Sequence, residues 1–390
     1  ATPKFCFFSP RIIIVFFCKA GAKGARTRRT EGETQPRKQQ AGAAEGARQR
    51  KMENQDDAAR IAGDDEGQSR VATVLDPALC SLLPRGVVVG RLMPFITHVF
   101  TSKVQLMRAV DRYVADPSTF CYHIRFWDVS QITDFSHVFD ARRNDQFRRG
   151  FNEDLSEWDT SNGRNFSFMF RGCRSFNGDV SSWDLSNATD LSNMFCSCKS
   201  FKGDLSSWDV SGATNMTYMF YACISFTGDS ISSWNVSSAR DLNHLFTECI
   251  CFNGDVSSWD VSNATNLNSL FNGCISFRGD VSSWDVSNAR DMCSMFYACC
   301  DFNSDLSSWD VSNVKRFNGM FLGCTSFNCD LSSWDVSNAE SLNAMFAGCS
   351  SFSSDLSSWD VSNVKRFNGM FLGCTSFNCD LSSWDVSNAE

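Results

Sequence analysis

The sequence predicts an α/β repeat solenoid built from about ten 25-residue coils. Three observations predict it. All 11 Trp residues recur on one lattice, nine of the 19 Cys residues recur on a second, and apolar spacing alternates between strand and helix patterns within each unit. The Trp lattice has a spacing of 25 residues except for one gap of 31 and one of 26, and it comprises Trp127, Trp158, Trp183, Trp208, Trp234, Trp259, Trp284, Trp309, Trp334, Trp359 and Trp384.

Each coil is predicted to begin with a short parallel strand around its Trp. An aliphatic residue such as Val180 or Leu205 stands three positions before the Trp, and Val210 or an equivalent stands two positions after it. The pattern apolar-x-x-apolar-x-apolar is that of leucine-rich-repeat strands, with Trp at a Leu position. Alternation along such a strand places Trp and Val on one face and Asp on the other.

A turn and a short helix are predicted to follow the strand. Leu191, Met194, Phe195 and Cys198 are spaced i, i+3, i+4 and i+7, which is one face of a helix. The next segment, Ser-Phe-Asn-Gly-Asp at 175–179 and its equivalents, has the composition of a turn. The unit is therefore leucine-rich-repeat-like: short parallel strand, turn, short helix, turn. Stacking is required because one repeat buries too little apolar surface to fold alone.

Three regions follow from this pattern. Residues 121–390 form the repeat solenoid, and residues 71–120 form an N-terminal helical cap region with an amphipathic helix at 101–114, capped by Thr101 or Ser102. Residues 1–70 are predicted to be a disordered leader, because they are rich in Ala, Gly, Arg, Gln and Glu. Its segment 5–22 is either signal-like or untranslated sequence, and Met52 is an alternative start.

The other end of the repeat array shows a duplication. The segment from Ser304 to Glu340 is identical to the segment from Ser354 to Glu390, a shift of two repeats, which is either a recent copy or an assembly error. No capping element follows Glu390, although solenoids need polar caps. We therefore expect a missing C-terminal cap, or a partner that covers this end, including end-to-end association.

Charge is divided between the two parts of the chain. Residues 1–150 carry 24 Lys and Arg against 16 Asp and Glu, whereas residues 151–390 carry 12 against 28. An acidic body argues against nucleic acid as its partner, because phosphate binding requires clustered basic residues. No apolar run reaches the roughly 18–20 residues that span a bilayer, so no transmembrane span is predicted.

The consensus Phe-Asn-x-Asp-(Leu/Val)-Ser-Ser-Trp-Asp-Val-Ser-Asn-(Ala/Val)-x-x-(Leu/Met)-x-x-Met-Phe-x-Gly-Cys resembles that of the BspA-type leucine-rich-repeat surface proteins. The resemblance runs from Phe126 to Glu390. It implies adhesion or partner binding at the cell surface or after secretion. Two departures are a Cys where we expect a small residue such as Ala and the lack of a clear lipidation motif or wall anchor. Translation from Met52 would instead give a cytoplasmic protein, which reduced thiols would suit.

Two kinds of repeated residue invite chemical interpretations. The Cys column is either a redox, metal or disulfide ladder or a set of small buried residues, and we favour burial because Cys-x-x-Cys pairs and nearby His are lacking. It comprises Cys173, Cys198, Cys223, Cys249, Cys274, Cys299, Cys324, Cys349 and Cys374. Two Asp columns either bind calcium or form turns, and the second is favoured because no known calcium-loop spacing is present. They include Asp154, Asp179, Asp204 and Asp255, and Asp159, Asp184, Asp209 and Asp260.

The remaining candidates do not form a repeated set. His98, His123, His137 and His244 share no repeat position, so no Cys–His nucleophile is singled out. Asn165, Asn187, Asn215, Asn235 and Asn263 begin Asn-x-Ser/Thr triplets, which arise freely in such a repeat. We predict no catalytic, cofactor or metal residue. The predicted function is a non-catalytic scaffold for a protein or glycan, with variable residues such as Tyr221 and Tyr297 supplying specificity; the alternative is a calcium-dependent surface.

Overall fold

The computed structural model describes residues 99–120 and 122–390, so the predicted leader at 1–70 lies outside the described residues. Helix α1 spans Lys103–Ala115 and helix α2 spans Asp145–Arg149; two 3-10 turns lie at Pro117–Thr119 and Ile124–Phe126. From residue 151 to 390 the repeats contain turns and isolated parallel bridges, without an assigned helix or extended strand. Within the described part of the chain, no helix has the length and apolar character needed to cross a bilayer.

Helix α1 confirms the amphipathic helix expected near residue 101. Its N-cap is Ser102, whose side chain accepts the N–H of Gln105, and its buried face includes Leu106 and Tyr113. The Tyr113 ring meets the Trp127 ring edge-on, with centroids 5.6 Å apart. The helix therefore packs against Trp127, the first Trp of the lattice. In later repeats, the Trp ring of the preceding repeat stands in the place of the helix.

Consecutive repeats are joined by a backbone ladder. Leu191 donates its N–H to the Asn215 carbonyl at 2.9 Å, and Asn193 donates to the Thr217 carbonyl at 2.8 Å. Two further donors follow at every second residue, and the same set recurs between later repeats. Parallel bridges mark the start of each rung and link Asp134, Asn165, Asp190, Asn215, Asp241, Asn266, Asp291, Arg316, Ser341 and Arg366 in turn.

The prediction of a helix at residues 191–198 is wrong. Asn193 and Ser197 have φ values of 57° and 64°, in the left-handed region, which a right-handed helix cannot include. The Phe195 N–H bonds to Met219 of the next repeat instead of to a carbonyl four residues earlier. The Met194 N–H closes a four-residue turn onto the Leu191 carbonyl at 3.2 Å. These consecutive tight turns still direct the four apolar side chains inward, so the apolar spacing is the same as that of a helix.

The strand predicted around each Trp is also absent from the described repeats. The Trp208 N–H bonds to the Leu205 carbonyl at 3.1 Å, which closes a turn where an extended strand was expected. Trp208 and Val210 are buried and Asp209 is exposed, so the predicted division of faces is confirmed. Between the repeats, parallel pairing begins at the bridge residue, beyond the Trp turn; beside the first Trp, Asp128 forms one isolated parallel bridge with Val99.

Aromatic columns form the core. The rings of Trp183 and Trp208 stack with centroids 6.4 Å apart and planes 2° apart. The Trp208 Nε1–H donates to the Val180 carbonyl of the preceding repeat at 2.9 Å. A second column is formed by Phe pairs such as Phe195 and Phe201, whose ring centroids are 4.2 Å apart. From Trp158 onward, each indole therefore fills the core and also donates to a carbonyl of the preceding repeat, which an aliphatic residue cannot do.

The column of bridge residues alternates in charge. From Asp134 to Asp291, every second residue is Asp and the intervening residues are Asn. Arg316, in the next repeat, forms an ion pair with Asp291. Carboxylates in this column are therefore separated by two repeats, which weakens their mutual repulsion.

Two irregularities of the Trp lattice are accommodated locally. The longer gap contains helix α2, whose Phe147 is buried and meets the Phe139 ring edge-on with centroids 5.9 Å apart. The extra residue Ser230 accepts the Leu205 N–H on its Oγ at 3.1 Å. The turn before it uses Gly228 at φ 82°, a conformation that favours glycine.

We predict that Trp208→Phe lowers the free energy of unfolding by about 1–3 kcal/mol, because the Val180 carbonyl keeps only the Trp183 N–H as donor and the smaller ring leaves unfilled space in the core. Denaturant unfolding followed by circular dichroism measures the change. Ser207→Ala is the control, since that exposed hydroxyl also donates to the preceding repeat, at Ser181. Equal losses for the two variants would show that the indole N–H has no special importance.

Candidate functional site

The Asp columns form local turns. Asp204 accepts the Ser206 N–H at 3.0 Å, and Asp209 accepts the Ser211 N–H at 2.9 Å. These hydrogen bonds hold the pKa of both carboxyl groups below the usual value. The pKa is likewise lowered at Asp255, Asp260, Asp280, Asp305, Asp310, Asp330, Asp355, Asp360, Asp380 and Asp385. In the described residues, no group of three or more His, Cys, Asp or Glu is placed to hold a metal ion.

The Cys column is buried, which was the interpretation favoured from the sequence. Cys198 is fully buried, and its Sγ–H donates to the Phe170 carbonyl of the preceding repeat at 3.0 Å. Burial raises the pKa of this thiol well above its ordinary value, so it stays protonated. The same bond recurs along the column to Cys374, which is half-buried. The cysteines of the described part are free thiols, and Cys251, outside the column, is exposed.

The repeated Ser and Asn side chains also bond between repeats. Ser258 Oγ donates to the Ser232 carbonyl at 2.8 Å, and Asn263 Nδ2 donates to the Ser237 carbonyl at 2.9 Å. Asn187 Nδ2, which begins another Asn-x-Ser/Thr triplet, donates to a carbonyl at 2.8 Å. Glycosylation at Asn187 or Asn263 would therefore break a bond that joins two repeats.

The structure does not bring the described histidines together in one site. His98 lies outside the described residues. The others have separate polar partners: His123 contacts Glu153 at 2.9 Å, His137 contacts Asp140 at 2.8 Å, and His244 contacts Thr247 at 3.0 Å.

Asp140 is the most buried carboxylate of these pairs, with 1% of its surface exposed. Burial raises the pKa of Asp140, but hydrogen bonds from Arg171, the Arg142 N–H and His137 outweigh it and hold the pKa below the usual value. This carboxylate is therefore an ionised anchor for the surrounding polar side chains.

One surface column differs from all of these, and we call it the ridge column. It consists of the residue two positions before the Phe of each Met-Phe pair or its equivalent. Its members are His137, Phe168, Asn193, Tyr218, His244, Ser269, Ser294, Gly319, Ala344 and Gly369, and every one has a φ between 52° and 64°. Gly or Asn adopts this conformation readily, whereas a larger side chain loses roughly 1–2 kcal/mol.

Four half-exposed ring residues occupy the ridge column in spite of that cost. The rings of His137 and Phe168 stack with centroids 4.8 Å apart and planes 5° apart. The rings of Tyr218 and His244 stack at 4.4 Å and 17°. Tyr221 adds a third ring 5.7 Å from Tyr218. Exposed rings in a strained backbone conformation indicate a functional surface better than core residues do.

Sequence reasoning found only the margin of this surface. Tyr221 and Tyr297 were singled out because they vary between repeats, and Tyr221 does border the rings. The expectation that His137 and His244 share no repeat position is wrong, because both occupy the ridge column, and Tyr218 was not singled out. The available signal was the shared position of Tyr218 and His244 before Met219 and Leu245, where other repeats have Asn, Ser, Gly or Ala.

Comparison with known proteins gives one family. The model described as "Mycoplasma protein of unknown function, DUF285" matches residues 107–230, 214–328 and 291–390. The three matches overlap and together cover the part of the chain that contains the repeats. No curated protein matches the sequence.

We predict that the column thiols resist a thiol reagent in the folded protein, whereas Cys251 reacts. Replacing Cys251→Ser should remove one rapidly reacting equivalent, and replacing the buried Cys223→Ser should remove none, as measured with Ellman's reagent. Reaction of Cys223 at the rate of Cys251 in the native state would contradict the buried column.

We also predict that acid destabilises the repeats. Because the pKa of Asp209 and its equivalents is lower in the folded chain than the unfolded value of about 3.9, their contribution is complete above that value and is lost as pH falls through the folded pKa. The melting temperature should fall steeply below about pH 4. Asp209→Asn should reduce this dependence while keeping the turn, since Asn235 accepts the Ser237 N–H in the same column at 3.0 Å. An unchanged slope in the variant would contradict the assignment.

Proposed function

This chain belongs to the family described as "Mycoplasma protein of unknown function, DUF285", and we propose that it is a non-catalytic repeat scaffold that binds a protein or glycan on its ridge column. We further propose that its repeats wind as a leucine-rich-repeat-like solenoid, in the manner of the BspA-type surface proteins that its consensus resembles. Adhesion at a cell surface is the role that this resemblance favours.

The proposal rests on a difference between the columns of side chains: some join consecutive repeats, and the ridge column does not. The repeated Trp, Cys, Ser and Asn side chains donate to carbonyls of the preceding repeat, as Trp208, Cys198 and Asn263 do. The residues most tempting as catalytic groups are thus used to join repeats. The ring residues of the ridge column are half-exposed, and the column changes from repeat to repeat and carries rings in only part of its length.

Selection of ligands tests the proposal. The full chain is used to select from a random peptide library and to probe a glycan array, and each ligand is then measured on a Tyr218→Ser, His244→Ser variant. We expect at least a tenfold loss of affinity, because the variant lacks the two stacked rings. The fold should tolerate the change, because Ser269 and Ser294 already occupy the same column position. Ser269→Ala with Ser294→Ala is the matched control and should retain binding.

Melting temperatures of both variants establish that they remain folded. Failure to obtain a ligand from either collection would contradict the scaffold function. Ligands that bind the ridge variant as well as they bind the parent chain would remove the ridge column from the proposal.

A further inference from the structure

The ring stack on the ridge column is interrupted at one repeat. His137 and Phe168 occupy the first two repeats, and Tyr218 and His244 occupy the fourth and fifth. The third repeat has Asn193, which has the same left-handed backbone conformation at φ 57° but no ring. We call this position the Asn193 gap.

The width of the gap follows from the spacing of the repeats. Parallel backbones bonded to each other lie about 4.7–4.9 Å apart, so the rings of Phe168 and Tyr218, two repeats apart, have planes separated by about 9–10 Å. The two existing ring pairs have centroid separations of 4.8 and 4.4 Å. One additional planar ring would therefore lie between Phe168 and Tyr218 at the same spacing as the rings already stacked.

The walls of the gap are held in place. Arg171 lies over the Phe168 ring at 4.3 Å and bonds to Asp140 of the preceding repeat, with Nε 3.2 Å from Oδ1. This bond ties the guanidinium to the preceding repeat. On the other side, His244 stacks against Tyr218 and is itself fixed by its contact with Thr247. The two walls are thus ordered before any ligand arrives, which reduces the entropy lost on binding.

We propose that the Asn193 gap receives one aromatic side chain of a partner protein, which completes a five-ring stack from His137 to His244. The proposal rests on the scaffold function and narrows its partner to a protein. Offset stacking between aromatic rings is favourable at this spacing. Asn193 is half-exposed, and an amide at this position offers both donors and an acceptor to the polar edge of a Tyr or Trp ring.

The surroundings favour an aromatic side chain over other flat ligands. Asp190 lies in the same repeat and Asp241 in that of His244, so a nucleic acid would bring its phosphates close to carboxylates. A sugar would bury several hydroxyl groups, each of which requires a hydrogen-bond partner, between walls that are mainly ring faces. A peptide side chain brings one ring and no phosphate.

The test uses the full chain and N-acetyl-5-fluorotryptophanamide, whose ¹⁹F resonance broadens when it binds. Asn193→Phe places the chain's own ring in the gap, as Phe168 does at φ 60° in the neighbouring repeat. We expect this variant to weaken probe binding at least tenfold. Ser294→Phe is the matched control, because it adds the same ring at the same column position between Ser269 and Gly319, and it should leave binding unchanged.

Tyr218→Ser provides a second arm that removes one wall without filling the gap, and it should also weaken probe binding at least tenfold. Equal broadening with the parent chain, Asn193→Phe and Tyr218→Ser overturns the proposal. Preferential binding of adenosine monophosphate or methyl glucoside over the probe overturns it in favour of a nucleotide or glycan. If selected peptides need Tyr218 and His244 but tolerate Asn193→Phe, the gap proposal fails while the scaffold function stands.

Discussion

The structure depends on hydrogen bonds that join consecutive repeats in two opposite directions. In the backbone ladder, N–H groups such as that of Leu191 donate toward the following repeat. The side-chain donors of Trp208, Cys198 and Asn263 donate toward the preceding one. Each repeat consequently needs both neighbours to satisfy its buried polar groups. The donors stay opposite their carbonyls even across the extra residue Ser230, since the Trp234 Nε1–H still donates to the Leu205 carbonyl at 3.1 Å.

The period and the core were predictable from the sequence because both depend on which side chains are apolar. Trp208, Cys198 and Phe195 were all assigned to the interior, and all are buried. Secondary structure was not predictable in the same way. The spacing of Leu191, Met194, Phe195 and Cys198 fits a helix, but a series of tight turns with left-handed residues gives the same inward set. Hydrophobic periodicity reports the direction of side chains and not the hydrogen bonds of the backbone.

The candidate site was less predictable because its defining property is conformational. A positive φ is readable from sequence where Gly319 or Gly369 stands, but not where Phe168 or Tyr218 adopts it. The Asp and Cys columns attracted interest because they repeat. They repeat because the Cys thiols join consecutive repeats and the Asp carboxylates form turns. In this chain, residues that differ between repeats are better candidates for a functional surface than residues that recur, since recurrence is already required by the contacts between repeats.

The alternating column of bridge residues has a consequence for how the array can lengthen. Asp291 is followed by Arg316, Ser341 and Arg366, and like charges stay two repeats apart throughout. Insertion of a single copied repeat that has Asp or Arg in this column would place two identical charged residues on neighbouring rungs, where they would repel each other. A copied pair preserves the order. The identical segments beginning at Ser304 and Ser354 are offset by such a pair. The charge pattern of the column therefore recurs every two repeats, whereas the fold recurs every repeat.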